Sequence, residues 1–340
     1  MRSSQKDLFD LIEKIRGLHV LVVGDVILDR YVWGSVSRIS PEAPVPIVET
    51  KRIEDRLGGA ANAVRNLRQL GCQVDLVGLT GRDAEAEAVM ALLKADAVNA
   101  TGVVSDSSRP TSLKTRVVAQ KQQVLRVDRE DRTSLPPELQ EKIAKQVEFH
   151  LTKAQAVILS DYGKGVVCPA VLELIEAHNQ KGAFQLTKRP LVVDPHPANY
   201  SLYKSFTVAK PNRKEAELAS GVSITSRESA LTAAQVLLKK WRSEMIVITL
   251  GEDGLVIVGA QQSPVFIETI AQEVFDVSGA GDTVTALFTA ALAVGASPVL
   301  AGDFANIAAG VVVSEVGTVA ITEAKLRREI ERQTVQKGAA

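Results

Sequence analysis

Two glycines and a carboxylate close the stretch Asp276-Val277-Ser278-Gly279-Ala280-Gly281-Asp282, which stands directly before a run of helical periodicity. Apolar side chains recur at helical spacing over residues 284–294, so the sequence predicts a buried helix that begins near Asp282 and ends at Gly295. The first turn of such a helix carries unpaired N–H groups and about half a positive charge. Because Gly279 and Gly281 have no Cβ, the backbone can approach a ligand closely, and the stretch favours a bound phosphate.

A tight turn, with Asp282 as a helix-stabilising residue, is the alternative interpretation of this stretch. Two further polar segments argue against it. Residues 58–62 open a second predicted helix, and residues 212–215 follow a short apolar run. Polar groups therefore recur at strand ends and helix starts, which is typical of a binding site in an α/β protein.

Short β-rich runs alternate with helical patterns along the chain, which predicts an α/β fold with a mainly parallel sheet covered by helices. The predicted strands lie at 18–24, 74–79, 156–160, 191–194, 206–209 and 245–250, and the predicted helices at 59–70, 83–95, 137–151, 169–181 and 228–242. Sheets of this kind bind ligands beyond the carboxyl ends of their strands. We expect the 340 residues to form a single domain.

Two segments interrupt the alternation, at about 31–56 and 111–129. The first holds three prolines among β-forming residues, and the second reads as a hairpin of 114–120 and 123–128 around Lys121-Gln122. We expect both to form a small β-sheet that lies as a lid over the strand ends, with an ordinary exposed hairpin as the alternative. The lid would have an apolar face in need of a partner. That face comprises Val45, Ile47, Val117, Val124 and Leu125.

Composition narrows the function classes. Lysine plus arginine equal aspartate plus glutamate at 40 each, so the net charge gives no reason to expect nucleic acid or an anionic membrane as a partner. Cys72 and Cys168 have neither metal-ligand spacing nor a disulfide framework, as in a reducing cytosol. Residues 1–16 read as an amphipathic surface helix without a signal peptide, and no apolar run approaches the ~20 residues of a membrane span. We therefore expect a cytoplasmic protein.

The segments 276–282 and 58–62 resemble the two signatures of the ribokinase-like (PfkB) carbohydrate kinases, and the resemblance covers nearly the whole chain. It implies a three-layer sandwich, ATP and Mg²⁺ as cofactors, and a homodimer formed by packed lids. A narrower resemblance, to the heptose 7-phosphate kinases of lipopolysaccharide-precursor synthesis, rests on residues 24–31, 37–46, 161–165 and 304–318. Its most specific part is the Arg-Ile-Ser-Pro-Glu-Ala-Pro run at 38–44.

The resemblance assigns the catalytic centre to the 276–282 segment. Phosphoryl transfer needs an aligned hydroxyl, charge neutralisation and one carboxylate, and Asp282 is the predicted base. The amides of Gly279, Ala280 and Gly281 would form an anion hole for the transferring group. A helix-capping turn is the alternative for all four residues.

The nucleotide side is assigned in the same way. Asn212 and Glu215 would hold a magnesium–water–phosphate network, with Glu215 as the metal contact through water, although a capping box explains the same spacing equally well. Asp276 and Ser278 would hold a monovalent cation, K⁺, and Val277 replaces the threonine that is common in the signature. The predicted nucleotide contacts are completed by Thr249, Gly251, Gly254 and Asn306.

The sugar side is assigned to Asp29, Gly59 and Asn62, which match hydroxyl-binding positions of ribokinase-like enzymes, with Asp25 as a further candidate. Asp29 follows the first predicted strand, and an exposed loop acid is the alternative for it. A phosphorylated sugar also needs cations, and arginine can bind phosphate through two parallel bonds. The candidates are Lys114, Arg116, Arg126 and Lys164, of which Lys164 is the first choice.

The resemblance implies an ATP-dependent kinase that phosphorylates the anomeric hydroxyl of D-glycero-D-manno-heptose 7-phosphate. One departure is Asp194-Pro195-His196, where the heptose kinases usually have Asp-Pro-Lys. The alternatives are a kinase of another sugar or sugar phosphate, such as fructose 1-phosphate or ribose, and a non-catalytic sugar- or nucleotide-binding regulator. The sequence contains no P-loop and no dinucleotide fingerprint. It also lacks the His-x-Gly-His element of cytidylyltransferase-like domains, so we expect a stand-alone kinase.

Overall fold

The computed structural model describes residues 3–120, 122–186, 188–260, 262–271 and 274–338. The helices are α1 (Gln5–Lys14), α2 (Ala60–Gln69), α3 (Ala84–Ala95), α4 (Pro137–Leu151), α5 (Pro169–Gln180), α6 (Arg213–Ser220), α7 (Arg227–Trp241), α8 (Ala280–Ala293), α9 (Pro298–Val312) and α10 (Glu323–Gly338). The strands are β1 (His19–Gly24), β2 (Val26–Ile39), β3 (Pro46–Gly59), β4 (Gln73–Thr80), β5 (Asn99–Ser105), β6 (Ser112–Ala119), β7 (Gln122–Arg129), β8 (Ala156–Ser160), β9 (Leu191–Asp194), β10 (Val208–Ala209), β11 (Met245–Thr249), β12 (Leu255–Gly259) and β13 (Val265–Ile267).

Within the described residues, the main sheet has nine strands in the order β13-β12-β11-β10-β9-β8-β1-β4-β5. From β5 to β11 all neighbours are parallel, and β12 and β13 are added antiparallel at one edge. The central strands β1 and β8 are continuous runs of buried apolar residues, as expected for strands covered on both faces. The predicted mainly parallel α/β sheet is confirmed, and each predicted strand and helix lies within two residues of its expected ends.

Helices cover both faces of this sheet and complete three layers. Val20 and Val22 of β1 face a core shared with α1, α2, α8, α9 and α10. Leu21 and Val23 of the same strand face the opposite core, which α4, α5, α6 and α7 complete. This alternation follows from the two-residue period of a strand. Because all the parallel strands end at the same edge, the segments after them meet there.

The second sheet, in the part of the chain that the structure describes, has four strands in the order β3-β2-β6-β7 and lies outside the main sheet. β2 pairs antiparallel with β3 and parallel with β6, and β6 forms an antiparallel hairpin with β7. The separate small sheet predicted from residues 31–56 and 111–129 is therefore present, although β2 already begins at Val26. Lys121, in the predicted hairpin turn, lies outside the described residues.

One predicted side chain lies in a different kind of element than expected. Asp29 is not in a loop after the first strand but within β2, and it is buried. The reason is that the chain turns at Asp25 and enters the second sheet directly. Among the described residues, no helix has the length and apolar character needed to cross a bilayer.

Candidate active site

The amino end of α8 offers unpaired backbone donors. Gly279 caps the helix in the left-handed conformation (φ 82°), and a Cβ at this position would lie 2.5 Å from Asn62 Nδ2. The amide of Ala280 donates to the carbonyl of Val277 at 3.2 Å. Within the described residues, the amides of Gly279 and Gly281 have no acceptor. Two of the three predicted anion-hole amides are thus free, and the third already closes a turn.

Asp282 lies in the first turn of α8 and is 3% exposed. Its Oδ2 accepts a hydrogen bond from Asn62 Nδ2 at 2.9 Å, and its Oδ1 accepts one from the hydroxyl of Tyr162 at 2.6 Å. Burial raises the pKa of Asp282 to about 7, and the nearby Asp194 adds to the rise. A carboxyl group with this pKa is suited to accept a proton near neutral pH.

Sequence reasoning missed a buried ammonium group beside this helix. Lys210 is 4% exposed, and its Nζ lies 3.1 Å from Asp194 Oδ1. The hydroxyl of Thr285 donates to the other oxygen of Asp194 at 3.0 Å. A Cβ at Gly281 would lie 3.6 Å from Nζ, so the ammonium stands next to the free amide of Gly281. Burial lowers the pKa of Lys210, but Asp194, Glu215 and Asp282 raise it overall, and the lysine is charged.

The position of Lys210 could have been read from the sequence. Lys210 follows β10 directly, and Asp194 is the last residue of β9. Polar residues at the carboxyl ends of parallel strands lie at the edge of the sheet where ligands bind.

Asn212 and Glu215 form the capping box that was the alternative to a magnesium role. Asn212 Oδ1 accepts from the Glu215 amide at 3.0 Å, and Glu215 Oε2 accepts from the Asn212 amide at 2.8 Å. Burial raises the pKa of Glu215 to about 7, and the negative charge of Asp194 contributes. The carboxyl group therefore caps α6 and also lies within the electrostatic reach of Asp194 and Lys210.

The comparisons with known proteins agree with this arrangement. Residues 18–325 match the pfkB family carbohydrate kinases. The chain belongs to this family. The predicted family and the predicted enzyme class, a carbohydrate kinase, are thereby confirmed.

Two similar relatives carry the name bifunctional protein HldE. The one from Pelobacter propionicus is 39% identical over 322 residues, which are 95% of this chain and 65% of the relative. The one from Desulfatibacillum aliphaticivorans is 42% identical over 316 residues, 93% of this chain and 64% of the relative. The chain thus spans a little less than two thirds of the length of these relatives.

Solved structures show the same fold at lower identity. Phosphofructokinase-2 from Escherichia coli, in complex with substrates and products, superposes with a TM-score of 0.75 at 18% identity, covering 94% of this chain and 99% of that one. Ribokinase from Arabidopsis thaliana, complexed with ribose and ATP, gives a TM-score of 0.71 at 20% identity, with 93% and 99% covered. The ribokinase-like fold of this pfkB kinase is confirmed.

The predicted nucleotide turn follows β11. The amide of Leu250 donates to the carbonyl of Gly254 at 2.7 Å, and Gly251 and Gly254 both have positive φ. A Cβ at Gly254 would collide with the backbone of β13, whereas one at Gly251 would meet nothing within 4 Å. Gly254 is therefore required by packing, and Gly251 faces open space beside Thr249. Asn306 is buried, and its amide donates to the carbonyl of Glu268 at 2.9 Å.

On the sugar side of this pfkB kinase, the predicted ligands contact each other. Asp29 Oδ1 accepts from Arg116 Nη1 at 2.6 Å, and Asp29 Oδ2 accepts from the hydroxyl of Thr318 at 2.8 Å. Both partners of the ion pair are buried. Asp29 therefore neutralises Arg116 in this structure, and the use of Arg116 as a phosphate-binding cation stays a prediction.

Gly59 and Asn62 lie at the start of α2, opposite the start of α8. Gly59 has a φ of 56°, and the Ala60 amide donates to the carbonyl of Asp25 at 3.0 Å. The amide nitrogen of Asn62 reaches Asp282, as described above, and also the carbonyl of Gly279 at 3.4 Å. Asn62 thus orients the candidate base rather than presenting free donors.

Asp25 is bound by backbone amides. It is 1% exposed, and it accepts hydrogen bonds from the amides of Tyr162, Lys164 and Val166 at 2.8, 3.0 and 3.1 Å. These bonds use its carboxylate to hold the loop after β8, and its role in binding sugar hydroxyls stays a prediction. Burial, and then the charge of Asp25, raises the pKa of Asp161 in this loop to about 7.

The four predicted phosphate-binding cations differ in their partners. Lys164 is buried and pairs with Glu130, and the exposed Arg126 pairs with Asp128 at 3.0 Å. Within the described part of the chain, Lys114 is the one of the four without a carboxylate at ion-pair distance. Its half-buried ammonium lies 5.5 Å from the centroid of the Tyr162 ring. Burial, followed by the charge of Lys164, lowers the pKa of Lys114.

The carboxylate of Asp276, a predicted K⁺ ligand, is held by backbone amides. The amides of Ser278 and Gly317 donate to the two carboxylate oxygens of Asp276 at 2.9 and 3.0 Å.

His196 is half-buried, its Nδ1 accepts from the Ala198 amide, and burial lowers its pKa. It also packs so closely on Gly163 that a Cβ there would overlap the imidazole ring. His196 therefore supports the loop after β8 rather than extending into solvent.

Proposed function

We propose that this chain transfers the γ-phosphoryl group of ATP to the anomeric hydroxyl of D-glycero-D-manno-heptose 7-phosphate, giving the 1,7-bisphosphate for ADP-heptose and lipopolysaccharide core synthesis. The relatives named HldE, at 39% and 42% identity, support the heptose substrate. The observation that carries the proposal is the position of Asp282 in the first turn of α8, beside the amides of Gly279 and Gly281, which have no acceptor among the residues that the structure describes.

In this mechanism Asp282 accepts the proton of the sugar hydroxyl while that oxygen attacks the γ-phosphorus. Asn62 holds Oδ2 of the carboxylate, and the incoming hydroxyl would approach Oδ1, which accepts from the hydroxyl of Tyr162 in this structure. Charge on the transferring group is met by the amides of Gly279 and Gly281 and by the ammonium of Lys210. Each well-placed donor of this kind stabilises the transition state by about 3 kcal/mol.

Hydrated Mg²⁺ fits the nucleotide side. Asp194, Glu215 and Asp282 bring three carboxyl groups around the single ammonium of Lys210, so a divalent cation would meet an excess of negative charge. The described residues contain no group of three or more side chains that could hold a metal by themselves, which suits an ion that keeps several waters. When bound with ATP, Mg²⁺ would neutralise charge on the phosphate oxygens, with Glu215 as a contact through water.

We propose that K⁺ binds beside Asp276 and Ser278, and that the nucleotide binds beside Thr249, Gly251 and Asn306. The bonds from two amides fix the Asp276 carboxylate, and each of its oxygens retains a lone pair for a cation. Replacing K⁺ by choline in the assay buffer, with the ionic strength held constant, tests this site. An unchanged rate would remove the monovalent cation from the proposal.

For the sugar phosphate, we propose Asp29 as a hydroxyl acceptor and Lys114 as the first phosphate contact. Lys114 takes precedence over Lys164 because Glu130 already neutralises the latter. Replacing Lys114→Met should raise KM for a phosphorylated sugar about tenfold, the value of one charge-assisted bond. Arg126→Gln is the matched control, since Arg126 is exposed and paired with Asp128. Equal KM values for both variants would remove Lys114 from the site.

A kinase of another sugar or sugar phosphate is the second candidate function. It is favoured by the ion pairs of Arg116 with Asp29 and Lys164 with Glu130, which leave few free cations for a substrate phosphate. Measuring ADP release with a panel of heptose 7-phosphate, fructose 1-phosphate, ribose and fructose separates the two. If heptose 7-phosphate is the substrate, its kcat/KM must exceed that of every other sugar in the panel. Bound ATP without turnover on any sugar would instead indicate a regulator.

We further propose that the four-stranded sheet, at about 31–56 and 111–129, is a lid within a single domain and that two copies pair through it. Its face retains exposed Val45, Val124 and Leu125, whereas Ile47 and Val117 are half-buried. Light scattering after gel filtration should give a dimer that Leu125→Glu converts to a monomer. Leu218→Glu, at an exposed leucine of α6, is the control. A monomeric unaltered chain would contradict this pairing.

A further inference from the structure

Tyr162 occupies a position in the site that neither the sequence motifs nor the family match assign. Its hydroxyl donates to Asp282 Oδ1 at 2.6 Å, the oxygen that Asn62 leaves free. Within the described residues, this is the one hydrogen bond that the hydroxyl makes. Burial, and next the charge of Asp282, raises the pKa of Tyr162 well above its usual value, so the hydroxyl stays protonated and donates.

The loop after β8 holds the ring in place by its backbone. The Tyr162 amide donates to Asp25 Oδ2 at 2.8 Å, and the Gly163 amide donates to Asp161 Oδ1 at 2.7 Å. The next residues, Gly163 and Gly165, have φ values of 68° and 104°, which fix the loop in a shape that other residues rarely adopt. The side chain is half-buried, and the ammonium of Lys114 lies 5.5 Å from the centroid of its ring.

We propose that the Tyr162 hydroxyl takes the place of the sugar hydroxyl on Asp282 while the sugar is absent, and so keeps water away from the base. This inference rests on the proposed kinase function and on Asp282 as its base. An incoming sugar would exchange one O–H donor for another on the same carboxylate oxygen, so the displacement leaves no buried acceptor without a partner. Tyr162 would therefore be a positioning residue that selects sugar over water.

The reaction that Tyr162 would suppress is hydrolysis of ATP. A water oxygen at Asp282 Oδ1 would form a bond to the γ-phosphorus while the bond between that phosphorus and the β,γ-bridging oxygen breaks. ADP leaves with the electron pair, Asp282 takes a proton from the water and later releases it, and the products are ADP, inorganic phosphate and H⁺. A kinase with a carboxylate base needs a device against this side reaction because water is always present.

The test is ADP release by Tyr162→Phe with ATP and Mg²⁺ and without sugar. Phenylalanine keeps the ring and removes the hydroxyl, so water can reach Asp282, and we expect at least about a tenfold rise over the unaltered chain. With sugar present, ADP release should exceed phosphosugar formation. The double variant Tyr162→Phe, Asp282→Asn should not show this rise in ADP release. Tyr200→Phe is the matched control, since the half-buried Tyr200 donates to the backbone carbonyl of Glu215.

A rise in sugar-independent ADP release cannot come from a misfolded variant, so the expected result is specific to the hydroxyl. The same measurement on Tyr162→Leu provides a second variant. Unchanged release in both, with sugar phosphorylation intact, would overturn the inference and leave the kinase proposal standing. Release by the unaltered chain that is as fast without sugar as with it would also overturn it. If Asp282→Asn retains full sugar phosphorylation, it is the proposed function that fails.

Discussion

The phosphoryl-transfer half of the site and its sugar half differ in what their polar groups contact. In the first half, formed by Gly279, Gly281, Asp282 and Lys210, two amides have no acceptor among the described residues, and the ammonium, which pairs with Asp194, lies beside Gly281. In the second half, Asp29 and Arg116 neutralise each other. The first half is arranged for a ligand before one arrives. In the second half, a substrate must compete with an internal ion pair.

The largest expected effect comes from breaking the first half at its base. Asp282→Asn keeps the size of the side chain and the hydrogen bond from Tyr162 to an oxygen, but it cannot accept a proton. We expect kcat to fall by about 10³-fold or more, with nucleotide affinity changed less than about twofold. Single-turnover kinetics and equilibrium binding of an ATP analogue measure the two quantities. A parallel loss of both would show that Asp282 maintains the fold of this end of α8.

The next effect concerns the ammonium beside Gly281. Lys210→Met removes the charge and retains much of the apolar stem, so we expect about a 10²- to 10³-fold loss in kcat. It also leaves Asp194 beside Glu215 without its cation, and the free energy of unfolding should fall by about 3 kcal/mol. Lys210→Arg is the control that keeps the charge. Adding Asp194→Asn to Lys210→Met should restore stability but not kcat, and recovery of both would assign Lys210 a purely structural role.

The third effect is a pH dependence that comes from Asp282, in the phosphoryl-transfer half. Burial raises the pKa of Asp282 to about 7, so the base is protonated below that pH and kcat/KM should fall about tenfold per pH unit there. Stability should change in the opposite direction. The folded protein retains a proton that the unfolded chain releases near pH 3.8, so the contribution of this group to stability diminishes as pH rises from about 4 to 7.

Measurements of kcat/KM and of thermal unfolding between pH 5 and 8 test both expectations: activity should rise with pH, and stability should fall. Glu215 and Asp161, whose pKa values burial also raises to about 7, contribute to the stability change in the same sense. Asp282→Asn removes one of these groups and should flatten the stability curve. A kcat/KM that is constant between pH 5 and 7 would contradict a base with the pKa that this burial gives.

The contrast between the two halves also explains which parts of the fold and of the site the sequence could predict. Helical periodicity and the glycines of 276–282 located α8 and its free amides, because these are backbone properties that depend on local sequence. Alternating β-rich and helical runs predicted the main sheet for a similar reason. The sequence does not reveal which of two distant side chains will pair, so Arg116 and Lys164 were assigned to a ligand by residue type. Tyr162 was missed since its contact with Asp282 joins residues 120 positions apart.

The smallest expected effect tests whether the ion pair of the sugar half competes with the substrate. Arg116→Met leaves Asp29 buried without its cation, which should cost about 3 kcal/mol of stability. Adding Asp29→Asn should restore most of that loss, because an amide is neutral and still bonds Thr318. If the pair belongs to the sugar site, KM for the sugar should rise severalfold in the single variant and stay raised in the double variant, with kcat changed little. Thermal unfolding and steady-state kinetics are measured on the unaltered chain, the two single variants and the double variant. They give the coupling energy between Asp29 and Arg116 in stability and in KM for the sugar. KM values that recover together with stability would place Asp29 and Arg116 among the residues that support the second sheet, and would limit the sugar site to the groups around Lys114.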